Sequence, residues 1–372
     1  MTTAHPAPRT AMRGVPVSGI RLQGVDVARA LALLGMMATH VGGIADQLDW
    51  SDPGTWAAVA HGRSSSLFAV LAGVSIGLTS GRTRPPGPPA IGRVRARLAI
   101  RAAVVVAIGL LLMALQTPVY VILPTYGVLF LLAIPVLRVP ARWLLVLAAV
   151  CAVLSPFVAL GVVPLYADAG MWEVQLGLVY PVVTFLAYVL VGLAVARAGL
   201  EARRTQVALL ASGAVVAAVA YVVGNLLAPV PVDAALAFPG VPYAGQGSTP
   251  AEALAQLVLS PRDHSSSVVD VVGTAGVAVA VIALCTLLFD GRSRSAERVA
   301  FPLAAVGSMP LTVYAGHLVV LALLPTSPDS GVAWAWFAIG SVLFAMLWRR
   351  FLGRGPLERL TATLTGLVPA SR

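Results

Sequence analysis

Hydrophobic residues in this chain form long runs, and short polar segments separate one run from the next. Apolar stretches of about 20 residues, enough to cross the hydrocarbon core of a bilayer as a helix, recur along the whole sequence. We place ten spans, in chain order, at 25–45, 62–80, 98–116, 118–137, 141–161, 177–196, 206–227, 267–289, 301–324 and 331–348. The pattern therefore predicts an all-α integral membrane protein with ten or eleven transmembrane helices.

The two ends of the chain differ from this apolar region. Residues 1–20 are polar, Pro-rich and Arg-bearing and have no apolar core followed by a cleavage site, so we expect a disordered cytoplasmic tail, not a signal peptide. Residues 21–350 are expected to form a single transmembrane helical domain. Residues 351–372 follow as a short cytoplasmic or interfacial tail, in which the segment 356–367 is too short to span the membrane.

The composition agrees with this picture and sets the chain apart from soluble domains and from nucleic-acid-binding proteins. The chain is 58% hydrophobic and 11% charged, whereas soluble domains carry about 25% charged residues. Its net charge is +10, and all 25 basic residues are arginines. The arginines lie between apolar runs without stacking aromatics or a recognition fold, so nucleic-acid binding is not expected.

The placement of the arginines orients the predicted helices. With the N-terminus inside, almost all of them fall in cytoplasmic segments, and only Arg63 and Arg262 fall in outer loops. This asymmetry follows the positive-inside rule. An odd number of spans would invert half of the loops and break the pattern. We therefore expect both termini in the cytoplasm and a multi-pass protein of the plasma membrane, surrounded by lipid bilayer.

The first span carries ionisable residues, which are expensive inside a membrane and often functional. Asp26 and Arg29 are i, i+3 neighbours and can pair on one helix face. His40 follows Arg29 by eleven residues, so the two share a face about 16 Å apart along the helix axis. This arrangement suits an extended anionic ligand that enters from inside and reacts near the outside. A snorkelling arginine and an interfacial histidine explain the same residues equally well.

Four of the five histidines map to the outer half of the predicted topology. His40 ends the first span, His61 opens the second, His264 precedes the eighth and His317 lies in the ninth. A neutral imidazole there can act as a base or as a nucleophile. The chain has no H-x-x-x-H pair or similar spacing, so no metal site is expected.

Polar residues cluster beside these histidines and form a secondary set of candidates. These secondary candidates carry hydroxyl or guanidinium groups and are Arg63, Ser64, Ser266 and Tyr314. Asp270 lies in an apolar span and needs a partner, and a histidine is the natural one because a carboxylate can orient an imidazole. Ordinary hydrogen bonds between helices explain most of the hydroxyl groups individually.

The first span also resembles a known motif. The segment VDVARALALLGMMATH carries an Arg-x10-His spacing, from Arg29 to His40, that matches the motif of the acyltransferase-3 family of membrane proteins. In that family the matched arginine is associated with the acyl-CoA and the matched histidine with catalysis. The resemblance implies these roles for Arg29, paired with Asp26, and for His40.

Further segments resemble two related families. Three of them are similar to bacterial proteins with a heparan-alpha-glucosaminide N-acetyltransferase catalytic domain: HGRSSSLFAVLAGVSIGL (61–78), LPTYGVLFLLAIPVLR (123–138) and YPVVTFLAYVLVGLAVAR (180–197). Three later ones are similar to the YeiB-like family of unknown function: HSSSVVDVVGTAGVA (264–278), VGSMPLTVYAGH (306–317) and GRGPLE (353–358). Together they cover most of the chain and imply a fold of ten or eleven transmembrane helices.

The resemblance implies acyl transfer, with acetyl as the simplest group, from cytoplasmic acyl-CoA to an extracytoplasmic glycan, lipid or small metabolite. The heparan-type transferases place their catalytic histidine in the loop after the first helix, where His61 is nearest. The base is therefore either His40 or His61, and His264 is a further catalytic candidate. Asp270 or the region of Ser266 is expected to orient the base. The phosphates of CoA are expected to meet Arg29 and the group Arg93, Arg95 and Arg97.

Two other functions remain open at this stage. A transporter or exporter fits the Gly and Pro interruptions at Pro124, Gly127, Pro181 and Pro310, although no inverted repeat is visible. A non-catalytic accessory subunit would use its buried histidines and carboxylates only to satisfy one another. Specific binding of acetyl-CoA favours the enzyme, and substrate flux without CoA favours the transporter. The sequence leaves a homodimer open, because lipid-facing and partner-facing surfaces are equally apolar.

Overall fold

The computed structural model describes residues 22–45, 48–49, 51–88, 90–166, 174, 179–231, 243, 245–291 and 293–369. In this part of the chain the regular elements are all helical. The α-helices are α1 (Gln23–Val41), α2 (Arg63–Thr79), α3 (Ala90–Met113), α4 (Leu123–Ala133), α5 (Ala141–Val162), α6 (Val182–Arg197), α7 (Arg203–Leu227), α8 (Pro250–Leu259), α9 (Val268–Phe289), α10 (Arg294–Gly307), α11 (Pro310–Leu323), α12 (Gly331–Phe351) and α13 (Pro356–Gly366).

The all-α membrane architecture is confirmed. Among the described helices, six (α1, α3, α5, α7, α9 and α12) are long and apolar enough to cross a membrane. The count becomes seven if the bent pair α10–α11 is one span. The number of ten spans and the cytoplasmic position of the termini stay predictions. The predicted disordered tail, 1–20, lies outside the described residues.

The ninth predicted span, 301–324, is two helices instead of one. α10 ends at Gly307, α11 begins at Pro310, and the axes differ by 62°. Proline has no N–H to continue the hydrogen-bond ladder of α10, but it is well tolerated in the first turn of a new helix. Met309, between them, has left the helical conformation, with φ −135° and ψ 55°.

Two other predicted spans are shorter than expected. α4 has 11 residues and gives way to turns over residues 134–138, where the sequence reaches Pro135. α6 has 16 residues because Pro181 precedes its first residue, and a residue before proline is biased away from helix. Proline thus lies at an end where each of these two helices is shorter than its predicted span.

Hydrogen bonds between the ends of helices show which ends lie together. The backbone N–H of Gly24, at the start of α1, donates to Asp290 Oδ1 after α9 at 2.8 Å. The guanidinium of Arg197, at the end of α6, donates to the carbonyl oxygen of Leu137 after α4 at 2.6 Å and to Ser80 Oγ after α2 at 2.9 Å. We call this the arginine end of the bundle.

The opposite end collects the end of α1 and the segments that precede α2, α9 and α12. The N–H of Ser330 donates to the carbonyl oxygen of Val41 at 3.0 Å. His61 and His264, from the segments before α2 and α9, line one cavity with His40. We call this the histidine end. α1 therefore runs from the arginine end to the histidine end, and α2 and α9 run in the opposite direction.

Glycines allow the closest helix crossings, which hold the site rigid. A Cβ on Gly73 of α2 would overlap the carbonyl oxygen of Val189 in α6. Between α7 and α9, a Cβ on Gly213 would lie 2.7 Å from the carbonyl oxygen of Gly276, and the converse distance is also 2.7 Å. Small residues commonly let membrane helices approach in this way, because lipid offers no hydrophobic driving force for their association.

Candidate functional site

Three histidines that are distant in sequence line one cavity at the histidine end. His40 comes from the last turn of α1, His61 from the segment before α2 and His264 from the segment before α9. Other polar lining groups are Thr39, Ser64, Ser65, Tyr180 and Tyr314. The cavity volume is about 50 Å³, which holds a few water molecules. In this conformation the cavity is a polar chamber that a CoA-sized arm does not yet fit.

His317 lies behind His40 and contacts it directly. His40 Nδ1 and His317 Nε2 are 3.1 Å apart, and the two rings are nearly parallel, 10° between planes with centroids 5.3 Å apart. His317 is buried on α11, and the ring of Tyr314 meets it edge-on at 5.2 Å. The sequence placed both histidines in the outer half but gave no sign of this contact.

His61 is held through its backbone and keeps its ring available. Its carbonyl oxygen accepts from the Arg63 N–H at 2.6 Å and from the Arg63 guanidinium at 3.4 Å. Its buried Nε2 has no hydrogen-bond partner in the described part of the chain. Gly62, the next residue, has φ +65°, which glycine adopts without strain. A Cβ added at Gly62 would lie 3.2 Å from Asp263 Cβ and 3.5 Å from His264, so the turn leaves little room for a side chain there.

The segment that carries His264 is strained. His264 and Ser266 have φ of +55° and +57°, a conformation uncommon for residues with a side chain and frequent at functional sites. Ser267 anchors the segment, because its hydroxyl accepts from the N–H of Asp270 and donates to the carbonyl oxygen of Ser260. Burial lowers the pKa of His264, so its imidazole is neutral at pH 7.

Asp270 belongs to a neighbouring, smaller cavity that shares His264 and Gly62 with the first. Its Oδ1 accepts from the hydroxyl of Thr274 at 3.2 Å, and that hydroxyl also meets the Tyr221 hydroxyl at 2.9 Å. Ser266 lines the same cavity. His40 contacts His317, whereas Asp270 bonds to Thr274. The orienting role of Asp270 toward a histidine base stays a prediction.

At the arginine end, the expected pair on α1 is present. The Arg29 guanidinium donates to Asp26 Oδ1 at 2.6 Å and to Ser75 Oγ of α2 at 2.8 Å. Asp26 is buried and Arg29 is half-buried, so this is a charge pair inside the bundle and not on its surface. Arg29 and His40 thus lie on one unbroken helix, with the spacing that the sequence predicted.

The arginines of α3 divide into two groups. Arg95 and Arg97 are exposed, and Arg93 is half-buried. Arg101, one turn deeper than Arg97, places its guanidinium 5.3 Å from the Phe130 ring centroid. It interacts electrostatically with Arg29 and with Glu358. In the predicted topology Arg101 was counted among the cytoplasmic arginines, although it lies inside the predicted span 98–116.

Glu358 connects α13 to the broken span. Its carboxylate accepts from the N–H groups of Leu311 and Thr312 at 2.8 and 3.2 Å and from the Thr312 hydroxyl at 2.5 Å. The first N–H groups of a helix have no partner within that helix, and a negative charge there is favourable. The carboxylate of α13 therefore caps α11 and holds it beside the arginines.

Two buried tyrosines lie beside the histidine cavity. The Tyr314 hydroxyl accepts from the N–H of Ile122 at 3.4 Å, and the Tyr126 hydroxyl donates to the carbonyl oxygen of Ser65 at 3.2 Å. Both tyrosines are almost fully buried, and Tyr314 and Ser65 line the cavity. They therefore add aromatic and hydroxyl groups to the interior of the bundle beside the histidines.

Within the described part of the chain, no group of three or more His, Cys, Asp or Glu side chains lies in positions that could hold a metal ion. The imidazoles at the histidine end form one contacting pair, His40 with His317, and two further rings, those of His61 and His264, from the segments before α2 and α9.

Comparison with known families divides the chain into two matched segments. Residues 21–228 match the family described as heparan-alpha-glucosaminide N-acetyltransferase, catalytic. Residues 237–367 match a family of proteins of unknown function, DUF418. This is the division that the sequence resemblances predicted, and both segments contribute to the cavity at the histidine end. A search of curated proteins gave no match.

Proposed function

Since more than half of the chain matches it, the protein belongs to the heparan-alpha-glucosaminide N-acetyltransferase catalytic family, and we propose that it transfers an acyl group across the membrane. The family supports an acetyltransferase-type protein with several membrane helices. The donor in this proposal is cytoplasmic acyl-CoA, with acetyl-CoA as the simplest case. The observation that carries the proposal is the polar cavity at the histidine end, lined by His40, His61 and His264.

The arginine end provides the donor side of this proposal. Arg29 and Arg101 present guanidinium groups inside the bundle, where a phosphate is attracted more strongly than in water. Arg93 lies about two turns before Arg101 on α3. The exposed Arg95 and Arg97 add positive charge at the mouth. The nucleotide part of CoA is expected to bind here.

The histidine end provides the chemistry. The acyl-pantetheine arm would extend from the arginines along the aromatic interior toward His40. There His40 or His61 accepts the proton of the acceptor amine or hydroxyl as that group attacks the thioester carbonyl. The carbon–sulfur bond then breaks, and the same imidazole returns the proton to the departing CoA sulfur. Only the acyl group changes sides in this scheme.

The acceptor is the part of the proposal with the least support, and the family name gives a first choice. Relatives are named for a glucosaminide, which is a sugar with an amino group. Hydroxyl and imidazole groups line the cavity, and they suit a polar acceptor such as a glycan, a lipid head group or a small metabolite. Glucosamine is therefore the first acceptor to test.

The test uses the full-length protein in lipid vesicles. Acetyl-CoA is added on the side of the arginine end and glucosamine on the other, and N-acetylglucosamine and free CoA are measured. The expected result is equal formation of both products, with no acetyl-CoA crossing the bilayer. Thermal stabilisation by acetyl-CoA, compared with glucosamine alone, reports donor binding even if the acceptor is wrong. Absence of both binding and turnover would refute the proposal.

One observation favours a second candidate, a transporter. The pair α10–α11 is broken by 62° inside the bundle, and broken helices mark substrate sites in many transporters. In the same vesicles, glucosamine uptake without CoA would support transport. Uptake that is absent, together with product formation that needs acetyl-CoA, would remove this candidate.

A further inference from the structure

The contact between His40 and His317 determines which nitrogen of His40 is free. The contact uses Nδ1 of His40, at 3.1 Å from Nε2 of His317, so the remaining ring nitrogen of His40 is Nε2. His40 also lines the cavity that contains His61 and His264. In a neutral pair the facing nitrogens share one proton, and the direction of that hydrogen bond sets the chemistry at Nε2.

The surroundings of His317 select the direction of the hydrogen bond between the two histidines. The backbone carbonyl oxygens of Val313 and Tyr314, one turn earlier on α11, interact with the His317 imidazole. Because Nε2 faces His40, we assign this interaction to the other ring nitrogen, Nδ1. This nitrogen is buried and makes no hydrogen bond of normal geometry within the described residues. A lone pair directed at carbonyl oxygens is repelled, whereas an N–H is attracted, so the proton of His317 belongs on Nδ1. Its Nε2 is then an acceptor.

We propose that His317 is a positioning residue that holds His40 in the Nδ1–H tautomer, which leaves the lone pair of His40 Nε2 available in the cavity. This inference rests on the proposed acyl transfer. Other histidine bases are held in the same way by a carboxylate or a carbonyl oxygen. A second imidazole performs this task without placing an ionised carboxylate in the membrane interior, which would be costly.

Packing restrains the pair as well as hydrogen bonding does. Tyr314 meets the ring of His317 edge-on, with an angle of 75° between their planes. The Tyr314 hydroxyl is itself held by the N–H of Ile122. His317 is 4% exposed, so it has little freedom to turn away from His40. The orientation of His40 is therefore set by a chain of contacts that begins on α11.

One base is enough for the transfer step, because the proton that it takes from the acceptor is the proton that it returns to the CoA sulfur. The acceptor atom forms a bond to the thioester carbonyl carbon while its proton moves to Nε2 of His40. The carbon–sulfur bond then breaks, and the sulfur takes the proton from Nε2 and leaves as the CoA thiol. His317 gains and loses no proton. It accepts the hydrogen bond from His40 throughout, and this bond is stronger while His40 carries a positive charge.

Two variants of His317 distinguish its proposed role in positioning His40 from a role in packing alone. His317→Gln places an amide oxygen near the position of Nε2 and keeps an acceptor for His40, whereas His317→Phe keeps the ring volume and removes the acceptor. We expect kcat to fall about a hundredfold in the Phe variant, within the range for a mispositioned base, and to recover mostly in the Gln variant. The KM for acetyl-CoA should stay constant in both variants.

The pH profile of kcat provides a readout that packing alone would not move. Loss of the acceptor removes a group that favours the cationic form of His40, so the acidic limb should move to lower pH in the Phe variant only. Other titratable groups face His40 in the cavity, from the segments before α2, α6 and α9 and from α11: His61, His264, Tyr180 and Tyr314. These are the same in both variants, so the difference isolates His317.

A measurement without turnover tests the tautomer itself. The whole protein, labelled with ¹⁵N-histidine and placed in lipid, is compared by NMR with His40→Gln to assign His40. The wild type and His317→Gln should show proton on Nδ1 of His40, and His317→Phe should show a mixture. Protonation on Nε2 in the wild type, or equal kcat in both variants, would overturn the inference. A wild type inactive with every acceptor would refute the proposed function instead, while the NMR result would still stand.

Discussion

The arginine end and the histidine end of this bundle solve the problem of buried polarity in different ways. At the arginine end, Arg29 is neutralised by Asp26 at 2.6 Å, and a carboxylate from α13 caps α11 nearby. At the histidine end, His40 contacts His317, and imidazole and hydroxyl groups line the cavity. A buried ion pair thus marks one end, whereas the cavity at the other end is lined by titratable rings and hydroxyl groups.

This comparison explains why one helix can carry both functions. α1 presents Arg29 to one end and His40 to the other, so a rigid element fixes the distance between donor recognition and chemistry. α2 repeats the arrangement, because Ser75 contacts Arg29 while Ser64 and Ser65 line the histidine cavity. The two ends should therefore respond differently to mutation, one in donor affinity and the other in turnover.

The largest expected effect is at the histidine end. His40→Gln should lower kcat by about 10²- to 10⁴-fold, the contribution typical of a general base. Acetyl-CoA should stabilise the variant thermally as much as it stabilises the wild type, because the proposed donor site lies at the other end. His5→Gln is the control for a histidine change in the N-terminal tail. A parallel loss of donor binding in His40→Gln would break the division between the two ends.

The next effect is at the arginine end. Arg101→Gln should weaken acetyl-CoA binding about 10- to 100-fold, because a hydrogen bond to a charged group is worth about 1.5–3 kcal/mol. At saturating donor, kcat should change much less. Arg204→Gln removes an exposed arginine at the start of α7 and should leave binding unchanged. Calorimetric titration of both variants with acetyl-CoA measures the two affinities. An equal loss of affinity in the two variants would mean that only the overall charge matters.

A smaller effect is expected from the cap of α11. Glu358→Ala should lower the free energy of unfolding by about 0.5–2 kcal/mol, the usual range for the loss of a helix cap. Glu297→Ala is the matched control, because Glu297 is an exposed acidic residue in the first turn of α10. Thermal unfolding in the same detergent compares them. Equal destabilisation would show that the contact with Leu311 and Thr312 contributes nothing.

The smallest expected effect is a pH dependence of the thermal stability, which originates at the histidine end. Burial lowers the folded-state pKa of His264 below that of the unfolded chain. Its contribution to stability is therefore fully present above the unfolded value of about 6.5 and is lost as the pH falls through the lower, folded value. Between pH 7.5 and 5, the melting temperature of the wild type should fall more than that of His264→Gln. Parallel curves for the two proteins would contradict this.

Much of the arrangement was predictable because helical spacing is regular. The eleven-residue interval in α1, the pairing of Asp26 with Arg29 and the collection of His61 and His264 near His40 followed from spacing and topology. The division of the chain between two families followed from its short resembling segments and was matched by the family comparisons. To predict these features, it is enough to know the residue spacing along one helix or the direction in which each helix runs.

What escaped prediction depends on how separate helices are rotated and broken. The partner of His40 is on α11, 277 residues later, and no spacing rule connects the two. The break at Met309 was invisible in the apolar run 301–324, although Pro310 had been noted as an interruption. Arg101 was counted among the cytoplasmic arginines, because its inward direction depends on how α3 is turned against α4.

The cap on α11 also has a consequence for the order in which the protein is made. Glu358 follows Thr312 by 46 residues, so α11 leaves the ribosome well before the carboxylate that completes its first turn. Until α13 is synthesised, the first N–H groups of α11 have to be satisfied by water or lipid head groups. Assembly of the arginine end is then a late event in biogenesis, and truncation within 353–358 should trap a bundle whose histidine end has already formed.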